Sequence, residues 1–331
     1  MAFLEVKNLH KQHGNILSVK DISFSLDPFQ KLAIAGETGS GKTTLLKMIA
    51  GLVQPDGGEI IFKEKRVLGP DEKLMAGHPD IGYLSQHFEL RNNYRVEDEL
   101  DAKNILTTEE ASEIYSICQI SHLLKRKTNQ LSGGEKQRIA LARILIASPE
   151  LILLDEPFSN LDMGHKQIMK SVVDEIGNKL GITCMMVLHD ASDLLSWAHQ
   201  VLVMQEGNII QRGNPEEIYR YPVNEYCAGL FGEYNIIADT TFLKDINGIL
   251  QDGKRLMVRP EDIHIRKGPD NATMAMVEEV FFMGPYYLLE VSVAGKKLQL
   301  FEQSGKINKG DKVYISISPE AMWYFERLFS W

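Results

Sequence analysis

The sequence predicts an α/β domain built on a largely parallel sheet, followed by a small all-β domain, and three observations carry that prediction. The first is KLAIAGETGSGKTTLLKMI, Lys31 to Ile49, where an apolar run enters a glycine-rich turn and leaves as a helix. The second is a pair of continuous apolar runs, LILLDEP from Leu151 and ITCMMVLHD from Ile182. Parallel strands buried on both faces read this way. The third is a change of pattern beyond about Gly232, where helical periodicity fades and short alternating runs between turn residues take over.

Composition is compatible with two such domains. The chain has 331 residues, 44% hydrophobic and 24% charged, so a sizeable core is expected. Its formal net charge of −9 gives no electrostatic reason to grip a nucleic-acid backbone, and no nucleic-acid partner is expected. Cys118, Cys184 and Cys227 are an odd number at wide spacing, which fits neither a disulfide framework nor a zinc site; reduced thiols in the cytosol are the simpler reading. No apolar run approaches bilayer length, and Glu5 and Lys7 interrupt the start where a signal peptide would need an apolar stretch. Any work at a membrane is therefore expected from its surface.

In chain order, FLEVKNL and ISFSL alternate as short strands before the Asp27-Pro28 turn, with His13-Gly14-Asn15 as a turn between them. A lone turn histidine is most often simply solvated. Gly36, Gly41, Lys42 and Thr43 then satisfy G-x-x-x-x-G-K-[ST], the phosphate-binding P-loop. Its glycines let the backbone approach an anion, so that N–H groups across Gly36, Glu37, Thr38, Gly39, Ser40, Gly41, Lys42, Thr43 and Thr44 converge with the helix N-terminus on phosphate oxygens. Lys42 adds charge for the β- and γ-phosphates, and the Thr43 hydroxyl is placed to ligate Mg²⁺. A Gly/Ser-rich loop that binds nothing is the competing reading, and the strand before it and helix after it argue against that.

Gln54-Pro55-Asp56-Gly57-Gly58 ends the helix and starts the strand GEIIFK; Lys63 to Pro79 is polar and loop-like; and Ile81 to Gln86 reads as a strand ending on an amide. Residues 88–130 lack strand patterning and carry an acidic run, read as a helical insertion whose charges form a solvated face. Ser132 and Glu135 form a capping box that starts a helix ending before Pro149. Gly133 and Gly134 fill its first two positions at about 1 kcal/mol each relative to alanine, which suggests that bare backbone is wanted there for an anion. LILLDEP should deliver Asp155 and Glu156 to the sheet's C-terminal edge on opposite sides of the strand, with different jobs. A loop through Asp162, a helix to about Leu180 and the strand ending near His189 follow, which puts His189 at the same edge as the acids and the P-loop. Gln200 to Arg212 reads as a hairpin turning at Glu206-Gly207-Asn208, and Pro215 to Tyr219 as a short helix. The tail runs KRLMVR, DIHIRK, TMAMVEEVFFM, YYLLEVSV, KKLQLFEQ and DKVYISIS are separated by turns such as Asp252-Gly253, Gly284-Pro285 and Ala294-Gly295, the pattern of a small β-barrel.

With the P-loop, LSGGEKQR, LILLDEP, SNLD and VLHD in that order, the chain resembles the ATP-binding subunits of ABC transporters. The tail resembles the TOBE domain of importer ATPases of the maltose, sulfate, ferric-iron and polyamine group, carried by Arg259-Pro260-Glu261-Asp262, Met283-Gly284-Pro285-Tyr286 and Ser318-Pro319-Glu320, with Asn224 to Asn235 like its connecting segment. The resemblance implies a P-loop NTPase core with an antiparallel β subdomain and a helical insertion at about 88–130, spanning residues 1–234. A small OB-like TOBE domain, 235–331, would regulate or dimerise. It also implies roles: Gln86 as a Mg²⁺ and water contact that senses the membrane partner, Asp155 as the acid holding Mg²⁺ through water, Glu156 as general base, and His189 as a γ-phosphate contact. Ser132, Gly133 and Gly134 would bind the nucleotide of the opposite subunit in a homodimer holding two ATP, with Asp162 in the loop crossing between the sites. His13 stands where the family usually stacks a larger aromatic on adenine, and Glu135 replaces the commoner glutamine.

The function so implied is that of an ATP-hydrolysing, energy-coupling subunit of an importer, using ATP and Mg²⁺. It would lie peripherally on the cytoplasmic face of the inner membrane, under two integral-membrane permease subunits, with an extracytoplasmic solute-binding protein. Inorganic ions such as ferric iron or sulfate come first as cargo, then a polyamine. The alternatives are an exporter ATPase, for which the β-rich tail is unexpected, and a soluble ABC-type ATPase not linked to transport, which would bring tandem cassettes or basic arms. A nucleotide-binding regulator without turnover is argued against by Glu156 and His189.

Overall fold

A computed structural model of the protein describes residues 2–14, 16–87, 90–159, 161–237 and 254–326. It divides into two compact units, Met1–Pro215 and Glu216–Trp331.

In the first unit β1 (Leu4–His13) and β2 (Ile16–Leu26) form an antiparallel hairpin. After β3 (Lys31–Ala35) and α1 (Lys42–Ile49), β4 (Gly57–Phe62) pairs with β1, and a two-residue β5 (Lys65–Arg66) inside the stretch expected as loop completes a sheet of order β2-β1-β4-β5. Next come β6 (Ile81–Leu84), α2 (Val96–Asp101), α3 (Thr108–Ile117), α4 (Gly133–Leu145), β7 (Leu151–Asp155), α5 (Met163–Lys179), β8 (Thr183–Val187), α6 (Ala191–Trp197), β9 (Gln200–Gln205) and β10 (Asn208–Gly213). The second sheet has the order β10-β9-β3-β8-β7-β6, parallel throughout except for the β9–β10 hairpin. Every residue of β7 and β8 is buried, as their unbroken apolar runs require. One core joins the two sheets through α1: Leu4, Leu9 and Leu26 from the antiparallel sheet meet Leu45, Leu46 and Ile49 of α1 and Leu153, Met185 and Val187 of the parallel sheet. Each such fully buried side chain contributes about 1.5–3 kcal/mol relative to leaving it in water.

Three local expectations are corrected. The strands expected to run to Gln86 and to Asp190 stop at Leu84 and Val187, so Gln86 and His189 stand on loops just past the strand ends. The acidic insertion is not one solvated face: Glu99 is buried, accepting from Arg91 Nε at 2.6 Å and from Arg143 of α4. It is buried with Val96, one turn earlier, and Leu100, and two guanidiniums, Arg91 eight residues before it and Arg143 forty-four residues after it, make its burial tolerable. Helices α6 and α8 have no counterpart among the elements expected from the sequence. Asn15, Asn160 and the Asp252-Gly253 turn lie outside the described residues.

The boundary falls at the first residue of α7 (Pro215–Arg220), and the second unit holds the rest of that helix and α8 (Glu225–Phe231), then β11 (Asn235–Ile237), β12 (Lys254–Val258), β13 (Ile263–Arg266), β14 (Thr273–Phe282), β15 (Tyr287–Val293), β16 (Lys296–Glu302), β17 (Lys312–Ile317) and β18 (Trp323–Glu326). The strands make two antiparallel sheets, β11-β12-β18 and β13-β17-β14-β15-β16. They share one core, with Leu256 and Val258 meeting Val277, Leu289, Val291 and Ile315. The units divide at the start of α7, at Pro215, rather than at Tyr234, so that α7 beyond Pro215 and all of α8 go with the β-rich unit. Buried Arg259 donates to the carbonyls of Ala228, Gly232 and Glu233 at 3.0 Å each, satisfying the orphan carbonyls of the α8 terminus, and its guanidinium lies 4.2 Å from the Tyr219 ring centre.

Candidate active site

Four neighbouring parallel strands, β3, β8, β7 and β6, bring their C-terminal ends to one edge, where they deliver the P-loop, His189, the pair Asp155 and Glu156, and Gln86 respectively. From β3 the chain enters the P-loop. At Gly41 the backbone has φ 100°, and a Cβ would lie 2.0 Å from the Ser18 carbonyl oxygen of β2, so only glycine lets the loop close against the hairpin. α1 has no side-chain cap at this end, which leaves its first amides directed at the loop. Lys42 is buried, and its ammonium donates to the carbonyls of Gly36 and Glu37 at 2.7 Å each and to Ser40 Oγ at 3.3 Å. Burial pushes its pKa down from the ordinary lysine value, against the pull of Glu156, Asp155 and Glu37. Glu37, Thr38 and Gly39 are exposed at the loop's tip, and Thr44 is half-buried.

Buried Asp155 accepts from Thr43 Oγ1 at 3.1 Å and from the Tyr83 hydroxyl at 2.8 Å. Burial, then the Asp155 charge, drives the Tyr83 pKa far above the ordinary phenol value, so the hydroxyl stays a donor. Sequence reasoning missed Tyr83; only the register of β6 on β7, Tyr83 beside Leu153, brings it to the acid. Glu156 has different partners. Gln86 Nε2 and Ser159 Oγ donate to its Oε2 at 3.0 and 3.1 Å, and His189 Nε2 lies 2.6 Å from its Oε1. The two acids do diverge, but not by strand alternation: β7 stops at Asp155, and Glu156 takes φ 51°, a left-handed conformation that costs a non-glycine residue on the order of 1 kcal/mol or more.

A second group forms at the starts of α4 and α5. The capping box closes in both directions, Glu135 N–H to Ser132 Oγ at 3.2 Å and Ser132 N–H to Glu135 Oε2 at 2.7 Å. Gly133 is exposed with open space where a Cβ would sit, as an anion-facing position needs. Gly134 is buried and bare for another reason: a Cβ there would lie 2.4 Å from Cδ2 of His165. Asp162 caps α5, accepting from His165 N–H at 3.0 Å, with His165 Nδ1 2.6 Å from its other oxygen. Among the described residues, no hydrogen bond joins Ser132, Gly133, Gly134 or Asp162 to the Lys42 and Glu156 groups. His13 is likewise apart from them; it ends β1, exposed, opposite Ile16, itself 72% exposed.

Beside Gln86 a groove of about 610 Å³ opens, lined among others by Leu52, His78, Ser85, His87, Lys103 and Arg143. Its walls come from β6, α4 and the segments flanking them, with Leu52 from just past α1 and Lys103 from just past α2.

Residues 19–159 match the family model for the ABC transporter, and residues 256–325 match that for the TOBE domain. The chain is 32% identical to the spermidine/putrescine import ATP-binding protein PotA of Mesoplasma florum, with 97% of each chain covered. It is 29% identical to the glucose import ATP-binding protein GlcV of Saccharolobus solfataricus, covering 99% of this chain and 100% of that one. With the sulfate/thiosulfate import ATP-binding protein CysA of a Synechocystis species it shares 30% identity, over 94% and 92%. Among solved structures, the dimeric ATP-binding cassette MJ0796 bound to ADP and Pi covers 64% of this chain and 98% of its own at 25% identity and a TM-score of 0.56. The cbiO1 protein of Clostridium perfringens covers 66% and 90% at 28% identity and a TM-score of 0.58. The chain belongs to the ABC transporter ATP-binding family, as an ATP-hydrolysing, energy-coupling subunit of the importer type with a C-terminal TOBE domain.

Proposed function

We propose that two copies of this chain close on two ATP molecules and drive uptake through two integral-membrane permease subunits, working peripherally at the cytoplasmic face of the cell membrane. The observation that carries the catalytic part is the convergence of Gln86, Ser159 and His189 on Glu156, next to the Thr43–Asp155 pair. Lys42 and the open amides of α1 hold the β- and γ-phosphates. His13 stacks on adenine, while Ser132 and Gly133 face the other copy's nucleotide across the loop that carries Asp162, with buried Gly134 packed behind them on His165. Thr43 and Asp155 supply hard oxygen ligands that suit Mg²⁺. Among the described residues no cluster of three or more His, Cys, Asp or Glu could hold a metal, so a cation here would share phosphate and water oxygens. Bound there, Mg²⁺ offsets charge that develops on the phosphates.

The chemistry left to the protein is orientation and proton transfer. Glu156, fixed by donors on both oxygens, aims a water at the γ-phosphorus and takes its proton as the new P–O bond forms and the bond to the bridging oxygen breaks. Because Gln86 is hydrogen-bonded to Glu156 and lies beside the groove lined by Ser85 and His87, a permease segment seated in that groove would move the base directly. No helix among the described residues is long and apolar enough to cross a membrane, in keeping with a peripheral subunit. The import relatives favour uptake over the exporter reading and over a soluble ATPase. Four relatives at 30–33% identity that bear the spermidine/putrescine name would make a polyamine the first cargo to test, ahead of ferric iron or sulfate. The test is co-purification with the permease pair and its solute-binding protein, reconstitution into vesicles, and measurement of ATP-dependent putrescine movement. Accumulation supports the reading; ATP-dependent efflux, or hydrolysis with no transport of polyamine, sulfate or iron, overturns it.

A further inference from the structure

The first turn of α5 makes contacts that no motif accounts for. Both oxygens of Asp162 are taken by one residue, His165: its backbone N–H donates to Oδ1 at 3.0 Å and its ring Nδ1 lies 2.6 Å from Oδ2. A carboxylate at this spacing can only accept, so Nδ1 carries the proton and the ring has one orientation. That orientation turns the Cγ–Cδ2 edge onto Gly134, where an added Cβ would stand 2.4 Å from Cδ2 and 2.8 Å from Cγ. The next residue reaches the other way. Lys166 Nζ binds Asp190 Oδ2 at 2.9 Å and buried Asp193 at 2.6 Å, and Asp190 directly follows His189. One helical turn therefore touches the start of α4, the Asp162 loop and the segment that carries His189.

We propose that His165 is a positioning residue: its ring locks the Asp162 loop to the first turn of α4, so that Ser132 and Gly133 keep a fixed placement relative to that loop during turnover. This rests on the reading of Ser132, Gly133 and Asp162 given above. The ring does two separable things, filling the space that Gly134 leaves and donating to Asp162, and substitutions separate them. His165→Leu keeps the bulk against Gly134 and removes the donor. His165→Asn places an amide N–H where Nδ1 was.

The experiment measures steady-state ATP hydrolysis and ATP binding for the full-length protein and both variants, with thermal unfolding as the control for folded fraction. Small displacements of a positioned group cost up to about 100-fold in rate, so His165→Leu is expected to lower kcat by roughly 10- to 100-fold with KM nearly unchanged. His165→Asn is expected to recover most of that loss. Wild-type kcat in His165→Leu overturns the inference, as does an Asn variant as slow as the Leu one while both remain folded. A raised KM at constant kcat also overturns it, since that marks ground-state nucleotide binding. Glu156→Gln measured alongside keeps the two failures apart. If it turns over normally, the reading of the site fails; if it is inactive while His165→Leu is normal, only the role of His165 fails.

Discussion

Replacing Glu156 by glutamine keeps the shape of the side chain and removes the base. The carboxylate accepts from Gln86, Ser159 and His189 at 3.0, 3.1 and 2.6 Å. A glutamine offers one accepting oxygen, and its amide N–H₂ would face one of those donors, so orientation is lost together with basicity. A positioned base contributes about 10²–10⁴-fold in rate. At about 1.36 kcal/mol per decade that is about 3–5 kcal/mol of transition-state stabilisation. Nucleotide binding rests on other groups, Lys42 and the start of α1, and is expected to persist, so the variant should accumulate as an ATP-held dimer. Phosphate release in a single turnover, with size-exclusion chromatography in ATP and Mg²⁺, checks both halves. Turnover within about twofold of wild type would refute the assignment of the base, since even the low end of that range predicts about 100-fold.

Three further outcomes follow from other parts of the molecule. His13→Ala should weaken nucleotide binding by roughly 1–3 kcal/mol at most, the scale of base stacking, and spare kcat; isothermal titration and kinetics decide, and normal affinity with lost turnover would give the ring another job. Burial pushes the Glu99 carboxyl up, but the Arg91 and Arg143 hydrogen bonds outweigh it and hold the group below the ordinary 4.5. A depressed folded pKa means stability that is present above the ordinary carboxylate range and lost as pH falls through the lowered value. Glu99→Gln should therefore cost about 3 kcal/mol or less at pH 7, as both guanidiniums reach solvent, and urea melts should show its gap from wild type closing on acidification; a constant gap sinks the account. A chain ended at Pro215 keeps the whole core around α1 and should stay soluble and bind ATP with similar affinity. Failure to bind ATP while folded by circular dichroism would mean that the TOBE-bearing unit contributes to the nucleotide site.

The sequence by itself determined whatever depends on neighbours along the chain. The P-loop, the capping box at Ser132, the doubly buried strands β7 and β8 and the β-rich tail are all set by local spacing, because a glycine's freedom, a cap's reach and a strand's period are short-range properties. Even the grouping of Lys42, Glu156 and His189 at one edge was legible, since parallel strands that alternate with helices must end on the same side. What only the tertiary structure decided are contacts whose partners are remote in the chain or whose backbone leaves the regular pattern. Tyr83 reaches Asp155 through sheet register, Glu99 is buried by an arginine 44 residues away, and His165 explains why Gly134 must be bare. Glu156 turns away from Asp155 by a left-handed φ that no periodicity signals. Arg259 draws α8 into the β-rich unit by satisfying carbonyls from 26 to 31 residues earlier. Pattern fixes which face a residue presents, but packing chooses what that face meets, because burial of a charge or a close backbone approach is tolerable only when a particular distant partner completes it.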